Sequence, residues 1–132
     1  MYPVHTDRAP AALGHYSQAI VAGSLVYVSG QLPINPGTGE VQADDIEGQV
    51  AQAMANVSAI LEAAGSAPDR IVKVTLFLSD MSLLPGANAA YGEILGSHRP
   101  ARSAVPTLPL PRGALVEIDV IALTGTEDGT HA

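Results

Sequence analysis

Residues 45–65 read DIEGQVAQAMANVSAILEAAG, and the spacing of their apolar members decides the fold class. Ile46, Val50, Ala53, Met54, Val57, Ile60, Leu61 and Ala64 recur at steps of three and four, which places them on one stripe of an α-helix. Asp44 or Asp45 supplies the N-terminal cap, and Gly65 closes the helix with a residue free to turn left-handed. The segments on either side change period. Residues 71–78 are β-branched and apolar, with Lys73 and Thr75 on one face, and predict a strand covered on at least one side. Upstream, residues 18–22 and 25–29 are two β-type runs separated by Gly23-Ser24, the glycine-first link of a tight hairpin.

Downstream, a second helix is expected to begin near Pro85, with Leu84, Ala87, Tyr91, Ile94 and Leu95 on its buried stripe. Pro100 resets the chain to extended, and residues 101–105 predict a strand. Pro106, Pro109 and Pro111 donate no ladder hydrogen bonds, so the chain leaves the sheet there or runs along its edge. Residues 114–123 form the last strand. The order strand, strand, helix, strand, helix, strand, strand predicts an α+β or α/β layer with both helices on one face of the sheet. Residues 1–14 read as an arm settling onto the domain, 33–39 as a turn-rich loop, and 124–132 as a polar, disordered tail. Gly30 marks either a bulge, the favoured reading, or a close approach of backbone to a ligand.

At 132 residues the chain has length for one domain, residues 1–123. Because 47% of residues are hydrophobic and only 14% charged, part of the apolar surface is expected to meet further copies of the chain. The last strand in particular is apolar on both sides. A net charge of −7 with six Lys and Arg argues against a nucleic-acid partner, whose phosphates need many cations. The absence of cysteine excludes disulfides and thiolate chemistry. Four histidines without ligand spacing give no metal site. No leader or run of about 20 apolar residues is present, so no membrane association and a cytoplasmic location are expected.

Two charges stand out. Arg102, between Pro100 and a β-type run, presents a guanidinium whose fork matches a carboxylate, and is the candidate anion hook; the bland alternative is a surface or interface salt bridge. Glu117 interrupts an otherwise apolar strand and is the candidate for handling water; the alternative is an ion pair between subunits. The two are expected to face one small pocket.

Tyr16-Ser17-Gln18-Ala19, Val28-Ser29-Gly30-Gln31, Asn35-Pro36 with Thr38-Gly39-Glu40, Asn56-Val57, Asn88-Ala89 with Tyr91, Pro100-Ala101-Arg102-Ser103 and Val116-Glu117-Ile118 occur in this order. Together they resemble the Rid family, the YjgF-type reactive intermediate deaminases, over roughly residues 10–123. The resemblance implies a chorismate-mutase-like α+β fold assembled as a homotrimer, its sheets forming a central barrel and its sites lying between subunits. It implies hydrolysis of 2-imino acids, such as 2-iminobutanoate and 2-iminopropanoate, to 2-keto acids and ammonia, without a cofactor. Arg102 matches the residue that grips the substrate carboxylate, and Glu117 the one that positions water. Tyr16, Ser29, Gly30, Asn88 and the backbone at Ala104 match the pocket lining. Read without the resemblance, Tyr16 serves equally as a packed aromatic and Asn88 as a helix cap. Three positions depart from the pattern: His15 replaces a proline, Ala104 a frequent cysteine, and Pro106 interrupts a strand. Alternative functions are a non-catalytic small-molecule-binding trimer and a hydrolase dedicated to one pathway's imine or enamine, with ribonuclease activity disfavoured by the charge.

Overall fold

The computed structural model describes residues 1–124. Ten elements follow in chain order: β1 (Tyr2–Val4), β2 (Ala19–Ala22), β3 (Leu25–Gln31), β4 (Ile34–Asn35), β5 (Glu40–Val41), α1 (Ile46–Ala63), β6 (Ile71–Leu78), α2 (Leu84–Leu95), β7 (Ala101–Pro106) and β8 (Val116–Leu123). Six strands make one mixed sheet in the order β1-β2-β3-β8-β6-β7, and β4 with β5 forms a separate small hairpin. Every ladder of the large sheet is antiparallel except β6 with β7. That parallel pair is joined through α2, because a parallel connection needs a crossover long enough to hold a helix. The fold is an α+β arrangement of two helices on a mixed sheet, one of the two layer classes that the order of elements allows and the one that the resemblance implies.

Helix α1 is fixed at both ends by local chemistry. Asp45 Oδ1 accepts from the Gly48 amide at 2.9 Å, which makes it, and not Asp44, the cap. At the other end Gly65 adopts φ 77°, and the amides of Gly65 and Ser66 donate back to the carbonyls of Glu62 and Leu61. This is the paired closure that a left-handed glycine allows. The stripe of α1 buries Val50, Ala53, Met54, Val57, Ile60 and Leu61 against Val26, Val28, Val74, Leu76, Ile118 and Val120 of the sheet. Helix α2 joins the same layer through Ala87, Tyr91 and Leu95. Ile94, expected on its buried stripe, is 41% exposed, since it lies one position off the inward line of Ala87, Tyr91 and Leu95.

Several loops carry more structure than the turn residues suggest. The arm adds β1 to the edge of the sheet and is pinned by the buried Gln18, whose amide exchanges hydrogen bonds with the backbone of Thr6 and also reaches Pro10 O. The loop expected at 33–39 opens into the β4–β5 hairpin, whose turn is held by Asn35 Oδ1 accepting from Gly37 N. Pro106 closes β7 opposite Leu78; β7 is the sheet edge, so the missing amide proton leaves no central partner bereft. Thr124, read as the first tail residue, is buried and its carbonyl accepts from Arg70. The rest of the expected tail, 125–132, lies outside the described residues.

Register sorts the sheet into two faces. Val26, Val28, Val74, Leu76, Leu78, Val116, Ile118, Val120 and Ala122 pair among themselves and lie under the helices. The other face carries Tyr27, Ile121, Lys73, Asp119, Thr75, Glu117 and Phe77. It is therefore mixed, with charged groups between apolar ones, and not apolar on both sides as expected.

Candidate active site in two halves

The first half is built around a defect in β3. Register slips between Val28 and Gln31, so Ser29-Gly30 bulges out of the ladder. Ser29 Oγ ties the bulge down by donating to Ser17 O at 2.6 Å. The bulge places the bare α-carbon of Gly30 directly against the end of Glu117. A Cβ built at Gly30 would lie 2.2 Å from Glu117 Oε2 and 2.9 Å from its Cδ. Both readings of Gly30 are thus realised, a bulge that is also a close approach, here to a carboxylate.

Gly30 also opens a cavity of about 380 Å³ whose wall includes Tyr16, Gln31, Leu32, Ile34 and Arg112. Arg112 stands in the left-handed region at φ 60°, unusual for a residue with a Cβ, and donates to Gly39 O across the cavity mouth. Burial raises the proton affinity of Glu117 above the ordinary carboxylate range, and the neighbouring Asp119 adds to it. Asp119 is itself raised by burial, against a Thr75 hydrogen bond and the nearby Lys73, which act the other way.

The second half belongs to β7 and α2. Arg102 Nη1 donates to Asn88 Oδ1 at 2.7 Å, and the guanidinium carbon stands 5.1 Å from the centre of the Tyr91 ring. Among the described residues no carboxylate lies within ion-pair distance of Arg102. The candidate hook is thus oriented by a neutral amide and a ring. A depression of about 430 Å³ beside it is lined by Asn88, Tyr91, His98, Arg99 and Arg102. Ala104 sits two residues on, its methyl packed against the core.

The two halves do not meet within one chain. Arg102 pairs with Val74 and so projects on the helix side, whereas Glu117 pairs with Phe77 and projects on the other face. The expectation that both face one pocket therefore fails for a single chain. Tyr16, Ser29, Gly30 and Glu117 gather at one place, and Asn88, Arg102 and Ala104 at another. Sequence reasoning placed Tyr91 on the core stripe and quoted it, like Gln31, among the family motifs without giving either a role at the site, and it passed over Arg112. The i, i+3 spacing of Asn88 and Tyr91 puts both on one helix face and is the signal that joins Tyr91 to the site. No group of three or more potential metal ligands occurs among the described residues, and no helix there is long and apolar enough to cross a membrane.

This architecture is shared with known proteins. The sequence profile described as Endoribonuclease L-PSP matches residues 6–124. The chain belongs to the YjgF/RidA (endoribonuclease L-PSP) family. Among its YjgF/RidA relatives is a RutC family protein of Pyrococcus horikoshii, 44% identical over 119 residues that cover 90% of this chain and 94% of that one. A second, from Escherichia coli K12, is named 2-iminobutanoate/2-iminopropanoate deaminase and is 42% identical over 123 residues, covering 91% and 95%. The solved E. coli YjgF gene product superposes with a TM-score of 0.89 at 41% identity, over 93% of this chain and 98% of that one. E. coli TdcF, solved with bound serine, superposes at 0.88 with 37% identity over the same shares.

Proposed function

We propose that this YjgF/RidA protein hydrolyses 2-imino acids such as 2-iminobutanoate and 2-iminopropanoate to 2-keto acids and ammonia. It acts as a homotrimer in the cytoplasm, and each site takes Arg102 from one subunit and Glu117 from its neighbour. The observation that carries this reading is the separation of the two halves: an uncompensated guanidinium on one face and edge, a half-buried carboxylate of raised proton affinity on the other. The name of the E. coli relative and the serine bound to TdcF support a small amino-acid-like ligand.

Arg102 takes the substrate carboxylate through parallel N–H donors. The protonated imine is already a strong electrophile, so the site needs chiefly to hold it beside a water. Glu117 accepts a proton from that water as its oxygen bonds to the imine carbon. The proton passes to the nitrogen of the resulting amino alcohol, the C–N bond breaks, and the hydroxyl becomes the ketone by giving its proton to the departing ammonia, which leaves as ammonium. One water enters and one ammonium departs, so no redox partner is required. Gly30 and Ser29 shape the water side, Tyr16 the cavity wall, and Asn88 and the backbone at Ala104 the carboxylate side.

The test is complementation. Keto-acid release from an imine generated in situ should be accelerated by the wild type and lost in both Arg102→Ala and Glu117→Ala. In a closed ring of three, each mixed assembly of the two variants restores one junction. Random exchange then returns about a quarter of the native sites. A wild type no faster than buffer would sink the activity, and mixed variants that stay inactive despite proven subunit exchange would sink the shared site.

A further inference from the structure

We infer that Tyr91 is the positioning residue of the anion hook, its ring fixing the plane of the Arg102 guanidinium while Asn88 fixes its rotation. The inference rests on the role proposed for Arg102 and adds a residue to it. Arg102 lies on the edge strand and is exposed. A free arginine there samples many rotamers, and binding a carboxylate through two parallel bonds forfeits that freedom. Two contacts from one face of α2 remove much of it beforehand. The Tyr91 ring lies under the guanidinium carbon at 5.1 Å, and Asn88 Oδ1 accepts from Nη1 at 2.7 Å.

The chemistry of these two partners suits a hook and not a structural ion pair. A ring meets the guanidinium on its π-face, where there are no N–H groups, so it orients the plane without using a donor. The Asn88 amide occupies one of five donors and brings no charge. Four N–H groups and the whole positive charge stay available. A carboxylate at position 88 would orient the side chain equally well and neutralise it.

The ring itself is held by packing. Tyr91 is 9% exposed, and its hydroxyl is buried without a hydrogen-bond partner among the described residues. Within the chain it is therefore the packed aromatic ring, and not a bond from the hydroxyl, that holds the platform. This separates two variants that a general structural role would not.

The experiment compares Tyr91→Phe, Tyr91→Leu and Asn88→Asp with the wild type by pyruvate titration, imine-hydrolysis kinetics and the NMR signal of the Arg102 Nε–H, assigned through Arg102→Lys. The Phe variant should match the wild type throughout. The Leu variant should bind pyruvate about tenfold more weakly, raise KM more than it lowers kcat, and lose the upfield ring-current shift of Arg102. The Asp variant should keep an ordered Arg102 yet lose pyruvate binding. Equal losses in Phe and Leu would move the action to the hydroxyl and overturn the inference, as would a folded Leu variant that behaves like wild type. Should the Leu variant not fold, a wild-type Arg102 signal that is mobile and unshifted overturns it by itself. Absence of imine hydrolysis in the wild type would strike the proposed function instead, leaving the pyruvate and NMR measurements to decide on Tyr91.

Discussion

Replacing Gly30 with alanine isolates the contact on which the proposed water-handling role of Glu117 depends. Gly30 is absent from the glycines with positive φ, so its backbone accepts alanine without strain. The added methyl carbon is the whole perturbation. It would stand 2.2 Å from Glu117 Oε2, where ordinary contact begins at 3.4 Å. The carboxylate must retreat by 3.4 − 2.2 = 1.2 Å or turn about its own side-chain bonds. Glu117 is only half-buried, so it can move at little cost to the fold. A displacement of about 1 Å in a group that presents a reactant costs on the order of a hundredfold in rate, equivalent to about 2.7 kcal/mol. Gly30→Ala is therefore expected to fold and melt close to wild type while kcat/KM for keto-acid release falls roughly a hundredfold. The same methyl added to Glu117→Ala should cost almost nothing more, because the carboxylate it displaces is gone. Undiminished turnover in Gly30→Ala, or an equal further loss in the Glu117→Ala background, would refute the reasoning.

The raised proton affinity of Glu117 predicts that kcat/KM falls on the acid side with an apparent pKa above the usual glutamate range, and that Glu117→Gln abolishes this limb. The same shift means that the folded chain holds the Glu117 proton more tightly than the unfolded one, so its contribution to stability is greatest in acid and declines as pH rises through the folded pKa. Glu117→Gln should consequently melt higher than wild type at pH 7, and the gap should close in melts taken at acid pH. Asn56 is buried, and its amide donates to Leu32 O at 3.1 Å and Ile34 O at 2.9 Å. Asn56→Ala leaves both carbonyls unpaired beneath the cavity wall and should lower stability in urea by about 2 kcal/mol, with a rise in KM as the wall loosens.

What was legible in the sequence is what local chemistry determines. The stripe of α1, its aspartate cap and its glycine closure are each set by residues within one or two turns of one another. The Gly23-Ser24 hairpin is equally local, with Gly23 at φ 60°. The elements that escaped notice depend on distant partners. Strand β1 exists because Gln18 reaches back twelve residues to Thr6, and the β4–β5 hairpin leans on Asn56 from twenty-two residues away. No turn signal or periodicity encodes a side chain that satisfies someone else's backbone. The site residues form an intermediate case. The motifs point to Arg102, Glu117, Gly30 and Asn88 individually, while Tyr91, quoted in the same motif as Asn88, is given no role beyond the core because a helix stripe cannot say what lies above it.

The division of the site has a reason that a single sequence withholds. Arg102 and Glu117 are both strand residues, and each is read against the strand between them, β6. Arg102 stands opposite Val74 and Glu117 opposite Phe77. Those anchors are three residues apart on β6, an odd number, and side chains alternate along a strand, so the two functional groups project to opposite faces. Had either register differed by one residue, both would share a face, and each core side chain of that strand would have turned toward the second face with it. The buried run of Val116, Ile118 and Val120 forbids such a slip: it fixes the parity of β8, as Val74, Leu76 and Leu78 fix that of β6. The same hydrophobic pattern that makes the core thus pulls the guanidinium and the carboxylate apart within one chain. The proposed shared site therefore calls for an assembly in which unlike surfaces of neighbouring copies meet, and a ring that closes would use every such surface once.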